Sequence, residues 1–319
     1  MSNDAGSDEQ TVGSSQATPE NDLRMPRTLQ RSDWTVLLRR IRESKCTPFL
    51  GAGASCGSLP LGATLAKEWA DEYGYPLEDS TDLIRVSQYV AVEVDDAVFP
   101  KEELATRFAT VQPPNFRLPN EAHAFMADLP LPVYITTNYD DFMFKALRDR
   151  GKEPEREICR WNSQLHRRPS VLERENYTPT PHRPLVFHLH GHAEIPESLV
   201  LTEDDYLDFL MAMSGPRNIL PPRIQEAMAE TSLLFIGYRI ADWNFRVLFR
   251  TLVSSLEASA QRKHVSVQVL PMGNAADTLR KLKILKYLDK YYEKLNTKVY
   301  WGRSDEFMSE LRSAWEGRQ

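Results

Sequence analysis

The apolar positions of this chain switch repeatedly between two periods. Trp34, Leu37, Leu38 and Ile41 recur at helical spacing, with Ser32 placed to cap the helix. A short apolar run then ends at Phe49-Leu50. Gly51-Ala52-Gly53-Ala54-Ser55 follows, and a second helical pattern runs through Leu65 and Trp69. That order predicts strand, glycine turn, helix. Residues 83–94, 102–109 and 121–129 carry the same helical spacing, so 58–130 reads as a mainly helical insertion. Four later runs, 132–136, 185–190, 233–237 and 265–270, are continuously apolar rather than alternating. Helical patterns at 140–147 and 243–256 follow two of them, and a last strand (298–301) and helix (306–315) come after. Continuously apolar strands alternating with helices predict a doubly wound α/β fold, a parallel sheet covered on both faces.

Two stretches break the pattern. Residues 1–27 are polar with little to bury, which predicts a disordered N-terminal tail ahead of a single domain spanning 28–319. Residues 151–184, rich in Arg, Pro and His, read as an irregular insertion or a short β-arm. The helical stretch 279–295 has a Lys-rich face, which packing on its own sheet or an oligomer contact would equally explain.

Composition narrows the class. The chain has 39 basic and 45 acidic residues, a net charge of −6, which gives no support to sequence-blind nucleic-acid binding. With 41% hydrophobic and 10% aromatic residues it can fill a core. No apolar window reaches the roughly 18 residues of a membrane span, and the first residues lack the order of a secretory signal. A cytoplasmic protein that binds neither membrane nor nucleic acid directly is the expectation. The three cysteines, Cys46, Cys56 and Cys159, form no CxxC pair, which argues for reduced structural thiols and against a zinc ribbon.

Four groups carry chemistry, all at the ends of predicted strands. Glycines in 51–55 permit close approach to a diphosphate, although the third glycine of the dinucleotide fingerprint is missing and an ordinary strand–helix turn fits as well. Thr136-Thr137-Asn138-Tyr139-Asp140 offers a fixed amide at a sheet edge where ligands bind, but Asn138 or Asp140 also suits a helix cap. Four of the seven histidines fall between 182 and 192. His190, before Gly191, suits a general base in a cleft; His188 suits a core histidine; His188, His190 and His192 together suit a metal. Last, Gly237 would allow a ligand close to the backbone, and Asp242 suits a helix cap.

In this order, GAGAS (51–55), TTNYD (136–140), LHG (189–191) and FIGYRIADWNF (235–245) resemble the sirtuin superfamily, and more closely its bacterial sirtuin-like NAD+ hydrolases of anti-phage defence. The resemblance implies a Rossmann-like fold with NAD+ as substrate. It gives Gly51, Ala52, Gly53 and Ser55 to the dinucleotide's phosphates, and Asn138 and Asp140 to the nicotinamide-side ribose and pocket. Asn138 would orient the attacking water, His190 would be the base, and Gly237 and its neighbours, Asp242 among them, would line the adenosine half. Protein-deacylating sirtuins hold zinc through two CxxC pairs; their absence here turns the expectation toward plain hydrolysis without zinc or another cofactor. A non-catalytic NAD+ or ADP-ribose sensor is the main alternative, and a deacylase a weaker one. Because unchecked hydrolysis would starve the cell, the resemblance also implies a homo-oligomer activated by a separate partner, such as a HerA-type ATPase or an Argonaute-like protein.

Overall fold

A computed structural model describes residues 29–55, 57–59, 62–215, 219–238, 247, 250, 263–268 and 278–317. The expected tail (1–27), Asp242 and all of the expected helix 243–256 except positions 247 and 250, which are helical, lie outside the described residues.

Seven strands form one parallel sheet: β1 (Cys46–Leu50), β2 (Val133–Thr136), β3 (Glu155–Ile158), β4 (Leu185–His188), β5 (Ser232–Ile236), β6 (His264–Gln268) and β7 (Thr297–Trp301), in the order β3-β4-β2-β1-β5-β6-β7. From β1 the chain builds one side of the sheet and then returns to place β5 on the other. The topological switch point therefore lies between β1 and β5, where open α/β sheets bind ligands beyond their carboxyl ends. Every residue of β1, β2, β4 and β5 is buried, as their unbroken apolar runs require.

Alternate residues of those strands feed different cores. Phe49, Ile135, Phe187 and Phe235 join one cluster, and Leu50, Tyr134, Val186, Leu234 and Ile236 join the other. Each such side chain contributes about 1.5–3 kcal/mol on burial. The described α-helices are α1 (Arg31–Arg42), α2 (Gly62–Tyr73), α3 (Leu83–Glu93), α4 (Phe99–Ala109), α5 (Ala122–Asp128), α6 (Phe142–Asp149), α7 (Glu203–Ser214), α8 (Pro222–Glu230), α9 (Thr278–Glu293) and α10 (Ser304–Trp315). Helices α2, α3 and α4 bring a third core, in which Trp69, Val86, Val90 and Leu104 close over Leu199 and Leu201, just beyond His190. A buried ion pair between Lys101 of α4 and Asp205 of α7 (2.5 Å) fastens the same two parts.

Local details depart from the sequence reading. Helix α1 is capped at Gln30, not Ser32, because the Asp33 carboxylate reaches back to the Gln30 amide at 3.1 Å. The stretch 151–184 contains β3, a true parallel edge strand whose charged Glu155 and Arg156 hid it from an apolar pattern. The strand expected at 185–190 ends at His188, where the chain turns through Gly191 at φ +87°. Helix α6 starts at Phe142, later than the expected 140, because the Asp140 carboxylate occupies the amide of Phe142.

Candidate functional site

The carboxyl ends of β4, β2, β1 and β5, consecutive across the sheet, carry the residues that the sequence singled out. Asn138, two residues past β2, is 9% exposed and tightly held. Its backbone N–H donates to Thr136 Oγ1 (2.9 Å), and its side-chain Nδ2 donates to the Gly51 carbonyl and to Ser55 Oγ, each at 3.1 Å. Both amide protons are thus engaged, which settles the orientation and leaves Oδ1 to accept a hydrogen bond from a ligand or water. Ser55 Oγ donates a hydrogen bond to Asp140 Oδ2 (2.9 Å), while Asp140 Oδ1 accepts from the Phe142 amide (2.9 Å). Asp140 therefore anchors this chain of hydrogen bonds and also accepts from the first amide of α6, whose N-cap is Asp141.

The Gly51–Ser55 loop is closed against the turn after β5. Gly51 N donates to Ile236 O (2.8 Å), Gly53 N to Gly237 O (2.9 Å) and Ala54 N to Gly51 O (2.9 Å). A Cβ on Gly53 would lie 2.8 Å from the Gly237 Cα, and one on Gly237 (φ +82°) only 2.3 Å from the Ala54 nitrogen. The glycines thus serve a close approach of backbone to backbone. Tyr238, whose ring lies over Gly51, donates to the Leu50 carbonyl (2.8 Å) and meets Thr137 Oγ1 at 2.9 Å. Thr137 and Tyr238 lie within the motifs read from the sequence, but the contacts of Tyr238 with Thr137 and Leu50 join segments 101 and 188 residues apart and leave no sequence pattern.

The three clustered histidines divide. His190 turns toward α7, its ring edge-on to Phe209 (5.0 Å between centroids) and Tyr206 (6.3 Å). Burial pushes its pKa down to about 4, and its Nε2 is buried without a partner among the described residues. Gly191 makes this turn possible, since a Cβ there would fall 2.1 Å from the Ser198 carbonyl oxygen. His188 and His192 face the other way, rings edge-to-face at 4.7 Å, beside Asp141.

Donor atoms of Asp141, His188 and His192 lie within 4.8 Å of one another, a spacing that a metal could draw together. The protons fit a metal poorly. His192 Nδ1 accepts from the Glu194 amide (3.2 Å), so in the neutral ring Nε2 carries the proton, facing Asp141 Oδ1 at 3.6 Å. The Arg156 guanidinium already holds that carboxylate oxygen at 2.6 Å. A divalent cation would therefore sit beside a fixed positive charge and meet a protonated nitrogen. His190, the third histidine of that sequence reading, is not in the cluster.

The sequence has relatives among known proteins. The family model for the SIR2-like domain matches residues 132–296, just over half of the chain. The chain is 30% identical over 210 residues to the NAD(+) hydrolase ThsA of Cytobacillus dafuensis, covering 64% of this chain and 37% of that protein. With the NAD(+) hydrolase ThsA of Acinetobacter baumannii it shares 26% over 243 residues, covering 72% and 44%. With that of Bacillus cereus it shares 24% over 234 residues, covering 71% and 43%. The chain thus spans less than half the length of these curated relatives.

Proposed function

Since the chain belongs to the family of SIR2-like domains, we propose that it is an NAD+ hydrolase, which cleaves NAD+ to ADP-ribose and nicotinamide. The observation that carries this reading is the hydrogen-bonded chain Asn138–Ser55–Asp140 beyond the ends of β1 and β2, beside the strand that ends in His188 and leads to a partly buried His190 whose Nε2 is enclosed. The relatives' printed name supports the same substrate.

Nicotinamide is attached as a pyridinium, so it leaves as a neutral molecule carrying the electron pair of the broken N-glycosidic bond. The requirements are stabilisation of oxocarbenium-like charge on the ribose and a positioned water. In this reading Asn138 Oδ1 accepts a hydrogen bond from that water, whose proton stays on the new hydroxyl, and aims its oxygen at the anomeric carbon. As the new C–O bond forms, the water's other proton passes through the ribose hydroxyls to His190. Burial that keeps His190 neutral also weakens it as a base. Charge on the ribose makes the attacking water more acidic, so a weak base suffices. No step calls on zinc or another cofactor.

We assign diphosphate recognition to Gly51, Ala52, Gly53 and Ser55, the adenosine half to Gly237 and Asp242, and the nicotinamide-side ribose to Asn138 and Asp140. Gly53 N is bonded to Gly237 O, so diphosphate contact at that amide requires the Gly237 turn to release it, while the amides of Gly51 and Ala54 are held by Ile236 and by Gly51 itself. We further read the protein as a cytoplasmic homo-oligomer of anti-phage defence, with activity that waits on a separate protein partner. Among the described residues no helix is long and apolar enough to cross a membrane.

The test is to incubate the purified protein with NAD+, alone and with the product of a neighbouring gene, and to quantify free nicotinamide and ADP-ribose by chromatography. Equal amounts of both products support the reading. Tight NAD+ binding without release of nicotinamide would make the protein a sensor instead, and products only in the presence of an acylated peptide would make it a deacylase.

A further inference from the structure

We propose that His188, a residue outside the water-activating pair Asn138 and His190, is a positioning residue that fixes the peptide of Asn138 through its Nδ1–H. The inference rests on the hydrolase reading for its kinetic consequence, but its structural content can be read without turnover.

The geometry starts from adjacent strands. His188 ends β4 opposite Thr136, the last residue of β2, and is 1% exposed. Its Nδ1 lies 3.3 Å from the carbonyl oxygen of Asn138. A carbonyl only accepts, so the proton of the neutral ring resides on Nδ1. That contact adds a further restraint to a residue already fixed elsewhere: Thr136 holds its N–H, Gly51 and Ser55 hold its side-chain amide, and His188 holds its C=O. Loss of the hold on this C=O would let the backbone at Asn138 shift, and with its Cα the Oδ1 that the reaction needs. A misplacement of about 1 Å at a reacting centre costs on the order of 100-fold in rate.

What surrounds His188 keeps this donor in place. The opposite nitrogen, Nε2, is buried with no partner among the described residues. His192, Asp141 and Arg156 face it, with Asp141 bound by Arg156. A second proton on His188 would have to point into that space, where His192 Nε2 already carries one and the nearby carboxylate is engaged. The ring is thus held as the Nδ1–H tautomer, a donor that does not switch to a charged form. Residues 188 and 190 divide the work: one turns toward α6 and sets the amide, the other turns toward α7.

Two substitutions separate positioning from mere packing. The side-chain nitrogen of Asn overlays the Nδ1 of His, so His188→Asn keeps the donor, whereas His188→Leu keeps bulk and loses it. Expected for His188→Leu is a fall in kcat of about tenfold or more with KM within about twofold. His188→Asn should recover most of the loss, with an unchanged pH profile and both variants melting alike. The proposal is overturned if His188→Leu keeps the wild-type kcat, if His188→Asn is as impaired as His188→Leu, or if the kcat losses simply follow the melting temperature. Independently of turnover, nitrogen NMR of 15N-histidine-labelled wild-type protein, with His188 assigned by difference from His188→Asn, should show a neutral ring protonated at Nδ1. Protonation at Nε2 would overturn the proposal even in a protein without hydrolase activity. A wild type that shows the Nδ1–H tautomer and no NAD+ turnover would instead overturn the hydrolase reading alone.

Discussion

The side-chain nitrogen of Asn138 lies 3.1 Å from the hydroxyl oxygen of Ser55, a residue 83 positions earlier in the chain. This contact joins the first glycine loop to the end of the neighbouring strand and, through Ser55, to Asp140. It has a direct consequence for Ser55→Ala. Removing the hydroxyl takes one acceptor from Asn138 and the donor from Asp140, both buried, at a cost of about 1–3 kcal/mol in stability. The Asn138 amide is then free to rotate, and NAD+ turnover should fall about tenfold or more. Urea unfolding and initial-rate measurements on the same preparation check the two halves.

His190 sets the pH dependence. Because burial holds its pKa near 4 instead of 6.5, kcat/KM should stay level down through pH 6.5 and decline only as pH approaches about 4. The stability effect has a definite sign. Below pH 6.5 the unfolded chain takes up a proton that the folded His190 refuses, so stability drops as pH falls from 6.5 toward about 4 and levels off below. His188, also held well below the ordinary value by burial, acts in the same direction. His190→Gln should flatten part of this slope in melting experiments run from pH 7 to pH 4.

Gly191 is the residue the fold can least replace at this edge. Its φ of +87° and the 2.1 Å approach of a Cβ to the Ser198 carbonyl oxygen make Gly191→Ala strained in two ways. The expected loss is about 1–3 kcal/mol or more, with turnover reduced at least as far as stability alone predicts. Melting temperature and NAD+ turnover report the two effects. Gly74→Ala, at φ +69° with nothing within 4 Å of the added Cβ, supplies the control in which only backbone strain acts.

Lys101 and Asp205 tie the helical insertion to the segment beyond His190. Their ion pair is buried, and Asp205 also accepts from the amides of Leu201 and Thr202. Lys101→Met leaves that carboxylate uncompensated and should cost about 3–5 kcal/mol. Asp205→Asn in the same chain should return part of it, because an uncharged amide keeps an acceptor for the two N–H groups. Chemical denaturation of the single and double variants measures the recovery.

Much of this architecture could be read before any coordinates. The central strands announced themselves because both faces are buried, so their residues are apolar without interruption. Strand β3 did not, because an edge strand carrying Glu155 and Arg156 matches no apolar period. Asn138, Asp140 and His190 were legible as polar residues stranded at the ends of apolar runs. The division of the histidines was not: it depends on the left-handed turn at Gly191, which places residues two apart on opposite sides. Nor could the sequence reveal that Gly51 and Gly53 meet Gly237 and Tyr238, since contact across β1 and β5 joins segments far apart in the chain.

The account rests on Asn138 and His190 serving one reacting carbon, and a double-mutant cycle tests that most directly. NAD+ turnover is measured by nicotinamide release for the wild type, Asn138→Ala, His190→Ala and the double variant, each verified as folded. Groups acting as a unit are strongly non-additive. Each single variant should lose about 100-fold or more, and the double variant should fall no more than about tenfold below the worse single. Wild-type turnover in either single variant, or losses that multiply in full, would contradict it.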